Sequence, residues 1–485
     1  MKTIHPREAG LGLLALLVVG TASTSRGQWI ETTIQLPSQA SARDLIYNHV
    51  SNKVYTANVP DVGMPPQRSV TIIDGNSNDI ITTIQVPEGP RDFCHNSVNN
   101  KIYVANYYAD SITVIDGQDD QIIAVLPAGD GPRALCYNSV DNKAYCANEF
   151  SRDVTVIDGD RNSVVASIPV GATPRVICYN PTGNKIYVPN AGSQSLSIIS
   201  GSSDSVIATL PMGNIPRGIV YNPQSNRVYV SNYGSDNVTV VDGSGDTVLA
   251  TIAVGDGPTA LFHNPVGNKV YCSNVGAPGP GSPPACTVSV IDCSTNTVVD
   301  SLPAGDEPTA FCFSSNNRKV YWVNEWSHSV SVVDAATDTL IRIIPLANPP
   351  VQPVDICYNP VNERVYTADR LTYSVTVIRD SVSSTGLAQH VVVPGESRLY
   401  EAAPNPFGAG TVIHYSLARP GPVQLAVYSA NGTLVRRLVA ASRTGQSQTI
   451  WDGRDEGHRH VAPGVYYCRM QAASPTVARK LVKTE

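Results

Sequence analysis

Five arginines recur at equivalent places in consecutive stretches of this sequence: Arg43, Arg91, Arg133, Arg175 and Arg217. Each stands at the start of an apolar run, and the corresponding places further along hold Thr259, Thr309 and Val354. A guanidinium is a planar, permanently charged fork of donors that matches a carboxylate or phosphate through paired hydrogen bonds. Five of them arranged in an arc would bind an anionic ligand. The other use of the same charges is structural, each pairing with a nearby carboxylate such as Glu88, Asp92 or Asp130.

The remaining chemistry-bearing residues read first as structure. An aspartate recurs at Asp74, Asp116, Asp158, Asp242, Asp292 and Asp334, usually before glycine. A carboxylate placed there bonds backbone N–H groups and closes an Asx turn. Cys94, Cys136, Cys178, Cys312 and Cys357 share one repeat position with Ile46, Val220 and Phe262, the exchange pattern of a small buried hydrophobe. Cys272 and Cys286 instead flank a Pro- and Gly-rich insertion at the base of one hairpin. In an oxidising compartment a disulfide between them would staple that loop. His95 and His263 occupy a place held elsewhere by Tyr47, Tyr137, Tyr179 and Tyr221, and the histidines do not cluster along the chain. No haem-attachment, zinc, phosphate-loop or nucleophile-elbow spacing is present, so the sequence implies no metal and no cofactor.

What must position these residues is a repeat. A tyrosine followed three residues later by an amide or acid marks eight copies: Tyr55/Asn58, Tyr103/Asn106, Tyr145/Asn148, Tyr187/Asn190, Tyr229/Asn232, Tyr271/Asn274, Tyr321/Asn324 and Tyr366/Asp369. Tyr103, Tyr145, Tyr187, Tyr229 and Tyr271 follow at 42-residue intervals, and insertions near residues 60–67 and 276–285 account for longer spacings. Each copy carries four short apolar runs. In the third they are 134–137, 143–147, 154–157 and 163–168, separated by Gly, Asn and Asp turn-formers. Such a four-stranded meander cannot bury both its faces alone, so successive copies must pack, and units of this length close into a β-propeller. The eighth copy has three strands only, while Trp29–Leu36 stands before the first copy as an orphan, its 32–37 stretch matching 82–87. The spacing predicts an all-β fold, an eight-bladed β-propeller sealed by the N-terminal strand, with seven blades and a stray copy as the alternative.

Composition agrees with many short strands and tight turns: 485 residues hold 37 Gly, 36 Pro and 22 Tyr. The net charge of −6 offers no general attraction to nucleic acid or anionic lipid. Residues 1–27 have the layout of a secretory signal peptide: Lys2 and Arg7, an apolar run from Leu11 to Val19, then small residues. No other stretch is long and apolar enough for a transmembrane span. The expected organisation is a leader at 1–27, the propeller at 28–380, a Ser-rich linker at 381–396 and a C-terminal domain at 397–485. In that last part about seven short strands, punctuated by Gly and Pro, indicate a small Ig-like β-sandwich.

The Tyr-Val-x-Asn cores, the Val-Ile-Asp-Gly segments at 114–117 and 156–159 and the Gly-Pro-Arg junctions resemble the YVTN family of β-propeller repeats over residues 28–380. Pro404-Asn405-Pro406-Phe407, Trp451-Asp452-Gly453 and Gly464-Val465-Tyr466 resemble the FlgD Ig-like domain and the C-terminal sorting domains of type IX secretion cargo. These resemblances imply a bacterial protein, secreted or at the cell surface, whose partners include the outer-membrane secretion machinery. The expected function is a binding scaffold for a protein, glycan or small anionic ligand, and arginine at this repeat position is also a structural habit of YVTN propellers. The alternative is a hydrolytic, lactonase-like enzyme acting at the channel mouth. Acids and histidines converging at one channel end would favour the enzyme.

Overall fold

The structure, a computed structural model, describes residues 28–37, 41–59, 68–276, 286–346 and 351–381, and in the C-terminal part 398–399, 407–408, 410–416, 421–430, 432–443, 446–457, 459–471 and 477–484. The expected leader, the insertion at 60–67 and nearly all of the expected linker lie outside them. The described residues form two compact units, 28–381 and 398–484.

The first unit contains eight four-stranded antiparallel sheets. In blade 3 the strands are Pro132–Asn138, Lys143–Asn148, Asp153–Asp158 and Ser163–Pro169, each within a residue or two of the run read from sequence. The second and third strands are almost wholly buried, whereas the fourth alternates exposed and half-buried residues. First strands of neighbouring blades lie against one another, including those of blades 1 and 8. They therefore surround the axis, and the chain forms an eight-bladed propeller.

Each blade grips the next through the repeat residues. The Lys-x-Tyr of a second strand reaches the turn after the third strand of the following blade: Lys53 Nζ lies 2.8 Å from Asp120, and the Tyr55 hydroxyl donates to the same carboxylate at 2.8 Å. Lys143 and Tyr145 hold Asp204 at 2.7 Å each, and Lys269 and Tyr271 hold Asp338. Those turn residues have positive φ, 63° at Asp120 and 48° at Asp204, a conformation Asp and Asn tolerate better than most side chains. Beside these contacts runs a chain of side-chain amides. Asn48 donates to Asn100 at 2.8 Å, Asn96 to Asn142 at 2.8 Å and Asn359 of blade 8 to Asn52 of blade 1 at 2.9 Å. The repeated aspartates close Asx turns, as at Asp158, whose Oδ1 accepts from the N–H groups of Asp160 and Arg161 at 2.9 and 2.8 Å.

The orphan strand does complete the ring. Trp29–Gln35 pairs antiparallel with Ser374–Arg379, from Trp29 opposite Arg379 to Gln35 opposite Ser374. Ile34 and Leu36 enter the core shared with blade 1, and Ile30 packs on the core shared with blade 7. Glu31 receives both sides of the Arg364 guanidinium, at 2.7 and 3.0 Å, and Arg379 at 3.0 Å. The Arg364 hydrogen bonds hold its carboxyl below the usual range. Where the chain leaves blade 8, fully buried Asp380 takes the role of the missing turn residue and holds Lys319 at 2.7 Å.

The anchor amides are buried and donate to hydroxyls on the third strand, as Asn58 does to Ser69 and Thr71 at 3.1 and 2.8 Å. In blade 8 the anchor is Asp369, fully buried and accepting from Thr367, Ser374 and Thr376. Burial pushes its pKa up to about 7 despite those hydrogen bonds. A folded-state value above the unfolded value of about 4 means that the stability it contributes is full below pH 4 and is lost as pH rises through 7. Ionising this group costs the folded state on the order of 4 kcal/mol by pH 8. Asp369→Asn, which restores the repeat amide, is therefore expected to raise the melting temperature at pH 8 by several degrees and to change it little at pH 5. Equal shifts at both pH values would refute the assignment.

The C-terminal unit has a three-stranded sheet (Arg398–Leu399, Thr411–Ser416, Gln446–Trp451) and a four-stranded one (Leu434–Arg443, Gly421–Ser429, Gly464–Gln471, Val477–Lys483). Trp451 is its core, fully buried between Phe407 and Tyr466 at 5.3 and 5.1 Å between ring centroids.

Candidate functional site

The arginines owe their direction to a backbone irregularity. Every first strand that begins with Pro-Arg or Ala-Arg skips a register position at the arginine: the ladder passes from Ala42 to Asp44, from Pro90 to Asp92, from Pro132 to Ala134 and from Pro216 to Gly218. In blade 4 Pro174 bridges Asn190 alone and the strand resumes at Cys178, leaving Arg175 in the gap. A bulge leaves its residue unpaired and turns its side chain out of the sheet. The same skip recurs at Thr259, Thr309 and Val354 in blades 6, 7 and 8, so the irregularity belongs to the repeat, and in the five adjacent blades that carry arginine it delivers five guanidiniums to the same end of the channel.

In blades 2, 3 and 5 the residue just after the anchor faces the arginine sixteen positions earlier in the same blade. In blade 3 it is Glu149, buried, which accepts from Arg133 at 2.7 Å, from Arg175 of blade 4 at 2.8 Å and from the Tyr107 hydroxyl at 2.9 Å. Burial acts to raise its pKa, but the charge of Arg133 and the hydrogen bonds from Arg175, Tyr107 and Arg133 hold it below the usual value. In blades 2 and 5 the facing residue is aromatic: Arg91 lies 4.7 Å from the Tyr107 ring centroid and Arg217 4.9 Å from that of Tyr233. Among the described residues Arg43, Arg91 and Arg217 have no carboxylate within ion-pair distance. Burial and the neighbouring charge of Arg370 lower the pKa of Arg43. Burial, with Arg133 and Arg43 close by, brings Arg91 down to about 10. The structural pairing considered from sequence is thus formed for Arg133 and Arg175, with Glu149 as the carboxylate in place of those named from sequence: Glu88 pairs with Arg68 at 2.7 Å, and Asp92 bonds backbone.

Beneath the arginines lie three carboxyl groups on adjacent blades, Asp355, Asp44 and Asp92. Asp355 accepts from the Leu45 N–H of blade 1 at 2.7 Å and Asp92 from the Leu135 N–H of blade 3 at 2.5 Å, so both stitch neighbouring first strands. Asp44 and Asp355 lie close enough for each to act on the other's titration. Burial raises all three, with Asp92 reaching about 7, and the proximity of Asp355 and Asp92 raises Asp44 further. A cavity of about 500 Å³ opens at this end, with Arg133, Arg175, Arg217, Asp92, Thr259 and Thr309 in its wall. Its size is that of a small-ligand site. The acids were readable from the chain, since they follow the arginine position directly in blades 1, 2 and 8, where the others have Ala134, Val176, Gly218, Ala260 and Ala310.

One expectation ends differently. Cys272 and Cys286 are free thiols. Cys272 lies opposite Ser289 with its side chain in an inter-blade core, while Cys286 precedes Thr287, the partner of Asn274, and its thiol donates to Val275 O at 3.2 Å. Three ladder positions, about 10 Å, separate them along the strands, beyond the ~7 Å a disulfide spans. His95 and His263 sit near the opposite end of their strands, opposite Ile102 and Val270. Acids and arginines converge at the mouth; those histidines do not. Among the described residues no group of three or more His, Cys, Asp or Glu is arranged to hold a metal ion, and no helix is long and apolar enough to cross a membrane.

Comparison with known proteins adds two local matches. Residues 118–251 match the lactonase family model, described as a seven-bladed β-propeller, and residues 408–476 match the FlgD Ig-like domain. The first stretch runs from blade 2 to the last strand of blade 5 and contains Arg133, Glu149, Arg175 and Arg217, but not Arg43, Arg91 or the three aspartates. Its description counts seven blades where this chain has eight. None of the curated proteins matches. Among solved structures, hydrazine synthase of Kuenenia stuttgartiensis is similar at 19% identity with a TM-score of 0.49, over 73% of this chain and 99% of that one.

Proposed function

We propose that this is an exported, YVTN-type binding propeller that holds a small anion, or the anionic group of a larger protein or glycan, at the channel mouth. The observation that carries the reading is the crowding of Arg43, Arg91 and Arg133. Burial, with Arg370 and Arg133 near Arg43 and with Arg133 and Arg43 near Arg91, lowers the proton affinity of Arg43 and Arg91, and neither has a carboxylate partner among the described residues. Partly buried like charges are costly unless something of opposite sign joins them. Thermal-shift measurements over a panel of di- and tricarboxylates, phosphate and pyrophosphate, at matched ionic strength, are expected to show stabilisation by at least one of them beyond that of chloride. A flat response across the panel would end this reading.

The layout of residues 1–27 supports export, and the FlgD-like match at 408–476 supports a C-terminal module that serves sorting or attachment at the cell surface. Mass spectrometry of the mature protein is expected to find an N-terminus near Gln28; an intact Met1 would count against export.

A second reading, hydrolysis of a lactone or related ester at the same mouth, is favoured by the lactonase match over 118–251 and by the carboxyl groups of Asp44, Asp92 and Asp355 beneath the arginines. Turnover of simple lactones that disappears in Asp92→Asn would establish it in place of simple binding.

A further inference from the structure

The face around the mouth carries exposed rings that nothing in the anion site requires. The second residue after the anchor is Tyr108 in blade 2, Phe150 in blade 3 and Trp326 in blade 7, and 66%, 58% and 57% of these side chains are exposed. Blades 4, 5 and 6 have Gly192, Gly234 and Gly276 there. Among the described residues the rim is thus walled by large rings at blades 2, 3 and 7 and low at blades 4, 5 and 6.

These rings are held rather than loose. The turn bearing Tyr108 is tied to the preceding loop by Tyr107 N–H to Gly89 O at 2.7 Å and Tyr108 N–H to Glu88 O at 3.1 Å. Phe150 is tied likewise, through Glu149 N–H to Gly131 O and Phe150 N–H to Asp130 O. Gly89 and Gly131 have φ of 75° and 69°, and a Cβ on either would lie 2.7 or 2.8 Å from the ring above it. Each ring therefore abuts a glycine and turns more than half of its surface to solvent. Tyr107 bridges the two, at 5.0 Å from Tyr108 and 5.8 Å from Phe150, and carries Arg91 on its own face.

We propose that this face binds an acidic polysaccharide, with sugar rings laid on Tyr108 and Phe150 and a uronate carboxylate directed to Arg91 and its neighbours. The proposal rests on the reading of the mouth as an anion site. Flat, pre-positioned aromatic faces beside guanidiniums match a ligand that alternates apolar C–H faces with carboxylates. An extended peptide would use a free strand edge, and the free edges here belong to the fourth strands, away from the axis. The net charge of −6 weighs against nucleic acid. The low stretch of the rim at blades 4, 5 and 6 gives a chain longer than the cavity a way out.

Calorimetric titration of the full chain with galacturonic acid, trigalacturonate, its methyl ester, citrate and a short polyglutamate tests this. Trigalacturonate is expected to bind about tenfold more tightly than the monomer, the contribution of two stacked rings, and the methyl ester not at all. Tyr108→Ala with Phe150→Ala is expected to remove that advantage while leaving citrate unchanged; both side chains are largely exposed, so the variant folds. Trimer affinity equal to the monomer's, no effect of the double variant, or polyglutamate binding with the same ring dependence would each overturn the proposal. Citrate binding without trigalacturonate binding refutes the saccharide and leaves the anion site standing. Binding of neither refutes both.

Discussion

A chain lacking Trp29–Leu36 is expected to lose the cooperative thermal transition of its propeller. Ile34 and Leu36, 8% and 5% exposed, contribute roughly 1.5–3 kcal/mol each by burial. The same deletion exposes one whole edge of Ser374–Arg379 and strips Arg364, 9% exposed, of both its bonds to Glu31. Arg364 keeps only its bonds to the Gly75 and Asn76 carbonyls, and breaking a buried ion pair costs about 3–5 kcal/mol. Together these losses are comparable to the roughly 5–15 kcal/mol by which a folded domain is stable. Calorimetry should show a broad, early transition in place of a sharp one, and a peptide spanning residues 28–37, added in trans, should restore some of the lost sharpness. An unchanged melting profile would mean that eight sheets close without the strand.

The second large effect falls on the mouth. Replacing Arg43 and Arg91 together by Gln removes two charge-assisted donors worth about 1.5–3 kcal/mol each, so anion affinity should fall about a hundredfold or more. The same replacement relieves the burial of charge and the repulsion that together lower both guanidiniums, so the ligand-free variant should melt no lower than the parent protein. Loss of stability without loss of binding would make these arginines structural. The pH dependence has a definite sign. Asp92, which burial raises to about 7, is neutral in mild acid and becomes a competing anion beside the arginines as pH rises, and burial raises its neighbours Asp44 and Asp355 as well. Affinity should therefore decline from pH 6 to pH 8, and Asp92→Asn should flatten the decline. Titration calorimetry at three pH values separates this from a uniform loss.

Much of this architecture could be read from the chain because a repeat prints its register many times over. The missing fourth strand of the last copy and the unattached Trp29–Leu36 were complementary in the sequence before they were paired in space. The arginines were legible for the same reason. Their surroundings were less so: a bulge is a property of the pairing between two strands, and no single residue announces it. Glu149 escaped notice because it serves two blades at once, bonding Arg133 of its own blade and Arg175 of the next. The three aspartates were visible in register but acquire meaning only when blade 8 returns to blade 1. The disulfide between Cys272 and Cys286 failed because closeness to one loop is not closeness across a ladder; the pairing of Thr287 with Asn274 places the two thiols on different rungs.

The closing strand also decides how the ring answers to force. Trp29 lies opposite Arg379, and just beyond them the Gln28 side chain reaches Ser381 O at 3.4 Å, so the chain enters and leaves the seam at the same end. Tension applied between Gln28 and Ser381 meets the ladder end-on. Its rungs then separate in succession, as in an opening zip, instead of sharing the load in shear. A propeller whose blades are each keyed to the next by amides and ion pairs thus has one direction of pull along which it yields at low force, and a load applied at Leu36 in place of Gln28 would find the same bonds strong.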